Sequence, residues 1–323
     1  MSLKVVFFIL FFGQISFSAY ANSFEQWKKD YAKRAAKRGL PQKFVLDTLK
    51  EITYDKKAVE KDNNQVLLSK KKDYQDFIKR WLRDDNKRIK LGREKLKKHH
   101  ALLSKIEQDF GVDKEVIVSL WGVETLYGEI TGDYNVVRSL ASLSFDGRRR
   151  KFYETQLNAA LRLVRAGHVS VKDLKGSWAG ATGQCQFMPS NINAYAVDYD
   201  KDGKKDIWHT HADIFASIAN LLKKAGWKKD KSVGSLVKNT KGIDLDAKKY
   251  LTQDQYRRLG FKNLDGTQIK NENWVRRRPA EIPLKNSPLI LRGSNYKPLL
   301  RWNNSSLFAA FNILMIDGIS KKQ

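Results

Sequence analysis

The chain is expected to fold as a mainly α (α+β) protein: several packed helices with a small β-rich subdomain near the C-terminus. Three observations predict this. Apolar residues recur at helical spacing with few breakers from 24 to about 110, and again within 136–166 and 214–224. Four of the six prolines, together with many Asn, Gly and Lys, fall between 230 and 300. The last stretch, "RWNNSSLFAAFNILMIDGI", returns to helical pattern. At 323 residues the chain can support two or three packed units.

Residues 1–21 read as an export signal rather than as fold. Lys4 supplies the positive end, Val5 to Phe12 the apolar run, and Ala19-Tyr20-Ala21 a small-x-small cleavage site. The apolar run is too short to span a bilayer and Gly13, Gln14 and Ser16 break it, so no transmembrane span is expected. The mature chain is then exported, periplasmic or secreted, and soluble. Its single cysteine, Cys185, cannot form an internal disulfide. The formal charge of +26 favours a polyanionic partner. Export makes nucleic acid the weaker choice, and the lysines are spread as on solvated helix faces rather than gathered on one groove.

Residues 22–110 form an expected N-terminal helical domain. Phe24, Trp27 and Tyr31 begin one stripe, Phe77, Trp81 and Leu82 a second, and Leu102, Leu103, Ile106 and Phe110 a third. Such stripes are core. Gly39-Leu40-Pro41 marks a helix stop. Residues 111–229 form the expected central core. It opens with Asp113 as N-cap to a helix in which Ile117, Leu120, Trp121 and Glu124 share one face. A second long helix ends at Gly167, residues 170–190 are loop entering a short helix, and a helix over 214–224 ends near Gly226. The mixed subdomain covers 230–299, and 300–323 is a helix that packs back on the core.

Glu124 carries the first chemical signal. A carboxylate on an apolar face is neutralised, paired or put to use, and burial raises its pKa toward that of a general acid. A helix Glu salt-bridged to one of 61 Lys and Arg fits the stretch as well. A second carboxylate is not evident. Glu129, five residues on, is expected roughly 140° around the helix from Glu124, and Asp133 and Asp146 are the nearest alternatives. The second signal is "GSWAGATGQCQFMPS", where glycines and neutral polar residues suit close approach to a sugar, although a plain Gly-rich connection explains it too. The third is Asp198-x-Asp200-x-Asp202-Gly203, the first half of a calcium loop, with Asp206 at position 9. His209 stands where the closing Glu belongs, and Asp213 is available to close the site later.

Together these stretches resemble the membrane-bound lytic murein transglycosylase B family in a soluble, exported form. The resemblance rests on "FEQWKKDYAKRAAKRG", "LWGVETLYGEITGDYNVVRSLASLSFDGRR", "GSWAGATGQCQFMPS", "DYDKDGKKDIWHTHADIFASIANLLKKAGW" and "LRWNNSSLFAAFNIL", in family order. It implies a lysozyme-like helical core with Glu124 as the single acid/base. Ser177, Gln186 and Asn303 match positions that line the sugar groove; Gln184, Thr125 and Trp178 are placed with them as substrate-binding residues. Asp198, Asp200, Asp202 and Asp213, with Asp206, are the expected Ca2+ ligands; no organic cofactor is expected. The implied substrate is a peptidoglycan glycan strand, cut between N-acetylmuramic acid and N-acetylglucosamine to leave a 1,6-anhydro end, by a chain expected to be a monomer. A hydrolase using Asp133 or Asp146, or a non-catalytic wall-binding protein, are the alternatives. The chain departs from the family at Thr125 (usually Ser), Thr182 (usually Met), and Leu221 and Leu307 (usually aromatic).

Overall fold

The computed structural model describes residues 22–64, 73–82, 86–239, 251–269, 280–283 and 285–321; the expected signal segment lies outside them. Three helices come first: α1 (22–36), α2 (Gln42–Leu49) and α3 (Lys56–Asn63). Next are α4 (Tyr74–Leu82), α5 (Lys87–Lys98), α6 (His100–Phe110) and α7 (Lys114–Thr125). Strand β1 (Tyr134–Asn135) leads into α8 (Val136–Asp146) and α9 (Arg150–Arg165), and β2 (Lys175–Gly176) precedes α10 (Pro189–Tyr195) and α11 (His211–Lys224). Strands β3 (Gly234–Asn239), β4 (Phe261–Asn263), β5 (Ala280–Glu281) and β6 (Leu289–Arg292) follow, with α12 (Gln253–Arg258) between β3 and β4. Helices α13 (Tyr296–Leu300) and α14 (Ser306–Ser320) close the chain.

The contacts divide this order into two compact units. One joins Met1–Gln65 to Thr131–Ala194, the other Val66–Ile130 to Tyr195–Gln323. The chain therefore changes unit near 65, 130 and 194, whereas the sequence suggested consecutive domains bounded at 110, 229 and 299. Periodicity marks where helices begin and end, but not which distant helices share a core.

In the first unit, Phe24, Trp27 and Tyr31 stack face to face at 5.6 and 5.2 Å, with Phe145 edge-on to the first ring. The α1 helix stops where Gly39 takes φ 86°, and α9 where Gly167 takes φ 75°. Lys28 is buried, and its ammonium donates to the Leu49 and Ile52 carbonyls at 3.0 and 3.1 Å, at and just beyond the end of α2, where a cation is favoured. Asp62 is buried too. An isolated carboxylate there would cost several kcal/mol, and Tyr153 Oη at 2.9 Å, the Arg148 N–H at 3.0 Å and the Arg148 guanidinium at 3.5 Å offset that cost.

In the second unit, α7 is core along most of its length, with Ile117, Leu120 and Trp121 buried. It packs on α14, where Ser119 Oγ donates to Asn312 Oδ1 at 2.9 Å. Helices α5 and α14 approach through glycines: a Cβ on Gly92 would meet Ile319 at 2.8 Å, and one on Gly318 would meet Ile89 at 2.7 Å. The four-stranded antiparallel sheet has order β4-β3-β6-β5 and packs Val237, Phe261 and Leu291 with Tyr256. The β-rich stretch expected after residue 230 is thus present. Asp113 sits at the N-cap of α7 but makes no side-chain capping bond; Glu107 Oε1 accepts from the Lys114 N–H at 3.1 Å instead.

Candidate active site

Glu124 lies in the last turn of α7, and the way that helix ends fixes its position. Leu126, Tyr127 and Gly128 all take left-handed backbone conformations, with φ of 51°, 62° and 88°. For the two non-glycine residues this costs roughly 1–3 kcal/mol each, so the surroundings must hold them there. Thr125 Oγ1 accepts from the Gly128 N–H at 3.0 Å, and the Ile130 N–H donates to Thr125 O at 2.9 Å. Tyr127 Oη donates to Arg88 O at 2.7 Å, while Arg88 Nη1 donates to Gly122 O at 2.6 Å. The Tyr127 ring occupies space that only a glycine at 122 leaves: a Cβ there would fall 2.5 Å from it.

The Glu124 side chain is half-buried. Part of its surface reaches solvent, but protein crowds the carboxyl group. Burial raises its pKa from the ordinary 4.5 to about 8, against the opposing effect of Trp302, whose Nε1–H donates to Oε1 at 2.8 Å. Trp302 stands between α13 and α14, with its own N–H bound to Leu299 O at 3.0 Å. A carboxyl that keeps its proton near neutrality, with one oxygen held by a fixed donor, can present the other as a proton donor. Trp302 is the residue that sequence reading missed; its one signal was an indole set in the otherwise polar run "RWNNSS".

Some expected sugar contacts belong to this unit. Asn303 follows Trp302 and is exposed. Thr125 is corrected: it is 1% exposed and its hydroxyl is committed to the turn, donating to Trp121 O at 3.3 Å, so it positions backbone rather than sugar. Leu221 and Leu307 are buried, and neither presents a side chain to solvent. Glu129 is exposed in the turn beyond α7, so the angle expected from a continuing helix does not apply.

Ser177, Trp178, Gln184 and Gln186 belong to the first unit, all half-buried. There Ser177 Oγ accepts from the Ala181 N–H at 3.0 Å. Gly176 is packed so tightly that a Cβ would meet Ala181 O at 2.1 Å. Gln186 adopts φ 48° and donates its amide N–H groups to Thr131 O and Gly183 O at 2.9 and 3.0 Å. Cys185, between Gln184 and Gln186, is fully buried. Asp133 and Asp146 also lie in this unit, both exposed, and Asp146 accepts from Tyr54 Oη at 2.9 Å.

The acidic loop is back in the second unit. One carboxylate oxygen from each of Asp198, Asp200 and Asp202 falls within 4.8 Å of the others. Lys201 at φ 64° and Gly203 at φ 91° turn the backbone, and the Asp202 and Gly203 N–H groups donate to Asp198 at 3.1 and 2.9 Å. Three like charges so placed repel by about 1 kcal/mol per pair even in water, and all are oxygen donors of the kind Ca2+ takes. The other two expected ligands are not gathered with them. Asp206 caps its own turn, accepting from the Trp208 and His209 N–H groups at 2.9 Å each. Buried Asp213 ties the loop ends, accepting from the Tyr199 and Asp206 N–H groups at 2.7 and 2.8 Å. A cation would be held by Asp198, Asp200 and Asp202.

Residues 23–315 match the family described as Transglycosylase SLT domain. The membrane-bound lytic murein transglycosylase B of Escherichia coli (strain K12) is 39% identical over 132 residues, 41% of this chain; the match spans only 36% of that relative's length. The crystal structure of SltB3 from Pseudomonas aeruginosa in complex with NAG-NAM-pentapeptide superposes with a TM-score of 0.82 at 31% identity, covering 93% of this chain and 80% of that one. The Escherichia coli lytic transglycosylase Slt35 in complex with calcium gives 0.75 at 25% identity, covering 92% of each. The mainly helical architecture with small antiparallel sheets is thus shared with lytic transglycosylases.

Proposed function

The chain belongs to the transglycosylase SLT domain family, and from that premise we propose that it is a lytic transglycosylase of peptidoglycan. The observation that carries this reading is Glu124: a half-buried carboxyl at a rigid helix end, held by Trp302 and lifted toward neutral pH. The E. coli relative's name and the glycopeptide bound to SltB3 supply the substrate class.

In this reading protonated Glu124 donates to the glycosidic oxygen between N-acetylmuramic acid and N-acetylglucosamine. Trp302 occupies Oε1, so the proton leaves from Oε2. The acetamido carbonyl of the muramic residue attacks its own anomeric carbon, standing in for the second carboxylate of an ordinary glycosidase. Glu124, now ionised, takes the proton of the same sugar's 6-hydroxyl, which closes on C1 to give the 1,6-anhydro ring. The two proton transfers together return Glu124 to its starting state, and neither consumes water. Ser177, Trp178, Gln184, Gln186 and Asn303 are proposed as sugar contacts.

We also read residues 1–21 as an export signal and the mature protein as periplasmic or secreted; among the described residues no helix is long and apolar enough to cross a membrane. Ca2+ is proposed as a structural ion at Asp198, Asp200 and Asp202, on their convergence and on the calcium complex of Slt35.

Mass spectrometry of digested glycan, before and after borohydride, tests the activity. Anhydro ends, which resist reduction, are expected. Reducing ends as the main product would instead point to activated water and a second carboxylate.

A further inference from the structure

Helix α5, "KRIKLGREKLKK", carries seven basic residues and one acidic one. Like charges three or four residues apart on a helix destabilise it by some tenths of a kcal/mol per pair, and this helix does little to offset that by pairing. Arg88 and Arg93 turn inward to backbone carbonyls, Arg93 Nε donating to Gly318 O at 2.8 Å. Lys90 and Lys97 are exposed and make no ion pair among the described residues. They do not stand on an open convex face. With Arg93, His100, Lys114 and Lys321 they line a concave groove of about 770 Å³ that also takes in Glu94, Glu115, Leu96 and Ile319, so cations outnumber acids along it. The close approach of α5 and α14 at Gly92 and Gly318 shapes it. Lys114 is paired with Glu107 at 2.9 Å and Glu115 at 3.9 Å, and Arg93 is engaged with Gly318 O, which leaves Lys90, Lys97 and Lys321 as the effective cations.

Lys90 and Lys97 are spaced i, i+7, so their positions rise over about 10 Å along one helix face, on either side of Glu94. This row fits an extended chain with an anionic group every several ångströms better than it fits one compact anion. Concavity disfavours a planar membrane. The adjoining cleft, reached across Glu115 and Ser320, is lined by Asp113, Asp230 and Asp317 and would repel an anion that strayed from the lysine side. Lys114, at the far end of α7, is ten residues or about 15 Å from Glu124, so ligand at the groove and ligand at Glu124 do not compete for one place.

We propose that this groove is a second binding site for peptidoglycan, taking the carboxylates of its stem peptides while Glu124 acts on the glycan. The proposal rests on the wall-acting reading above. It makes the groove an anchor on an insoluble polymer, where a second contact raises the effective concentration of scissile bonds.

The test is sedimentation with insoluble peptidoglycan, in a Glu124→Gln background so that nothing is digested. Lys90→Gln with Lys97→Gln and Lys321→Gln should weaken binding roughly tenfold. Glycan stripped of its stem peptides should bind the parent and the triple variant equally and weakly. Parent binding should also fall as salt rises; this needs no variant to fold. Unchanged binding by a folded triple variant, salt-insensitive parent binding, or equal parent binding to peptide-free and peptide-bearing glycan would overturn the proposal. So would a loss seen only on phosphatidylglycerol–phosphatidylcholine vesicles, which would make the groove a membrane contact. With Glu124 intact, the triple variant should still convert a peptide-free tetrasaccharide to anhydro product. Failure of the unsubstituted protein in that reaction would sink the activity instead.

Discussion

Replacing Glu124 with Gln should do two things at once: abolish peptidoglycan solubilisation and stabilise the fold in a pH-dependent way. The activity falls because an amide cannot give and take a proton. The stability change follows from linkage. In the unfolded chain Glu124 loses its proton near its ordinary value of 4.5, whereas in the folded protein it keeps it to about 8. Below 4.5 both states are protonated and no difference arises. As pH rises from 4.5 toward 8 the unfolded state releases a proton that the folded state retains, so wild-type stability declines. At pH 7 the interval is about 2.5 units, or about 3 kcal/mol at 1.36 kcal/mol per unit. Residual solvent at a half-buried side chain reduces this, so a gain of about 1–3 kcal/mol is expected. Gln keeps the acceptor for Trp302 Nε1–H and does not titrate. At about 2 °C per kcal/mol for a chain of this size, Glu124→Gln should melt about 2–6 °C above wild type at pH 7, and level with it at pH 4. Paired thermal melts from pH 4 to 9 measure this, because every other group titrates alike in both proteins. A difference independent of pH, or a wild type more stable at pH 7, would refute the assignment of a desolvated, proton-holding Glu124.

Three further outcomes follow from the site. Trp302→Phe removes a donor that favours the ionised carboxyl, so the alkaline limb of the pH–rate profile should move up by about one unit as turnover falls; an unmoved limb would mean the indole does not act on Glu124. Chelation should lower the melting temperature, and Asp200→Ala with Asp202→Ala should abolish the response. At a hundredfold excess over Kd the expected gain from Ca2+ is about 2.7 kcal/mol, and melting curves indifferent to chelator would dismiss the ion. Gly122→Ala would press a methyl group against Tyr127 and should cost about 1–3 kcal/mol with a loss of activity, because the turn behind Glu124 must shift; a variant with wild-type melting and turnover would show that the turn is not constrained as described.

Much of this protein can be read from local sequence. Helix stops at Gly39, Gly167 and Gly226 lie where left-handed backbone is needed, and each takes a positive φ. Glu124 stands out because it falls on the apolar face of α7. Asp198, Asp200 and Asp202 converge because loop spacing alone sets their geometry. Tertiary structure decided the rest. Trp302 reaches Glu124 across 178 residues, and no periodicity links "WGVET" to "RWNN". Thr125 looked like a sugar contact, but its hydroxyl closes a turn. Asp206 and Asp213 carry ligand chemistry too, yet their carboxylates serve the turn at 206–209 and the junction of Tyr199 with Asp206 instead of joining the other three. Side-chain spacing along one element depends only on helix or loop geometry, so sequence records it directly. Which distant surface covers an element depends on shape and hydrogen-bond complementarity between segments far apart in the chain, and that matching exists only once they have packed.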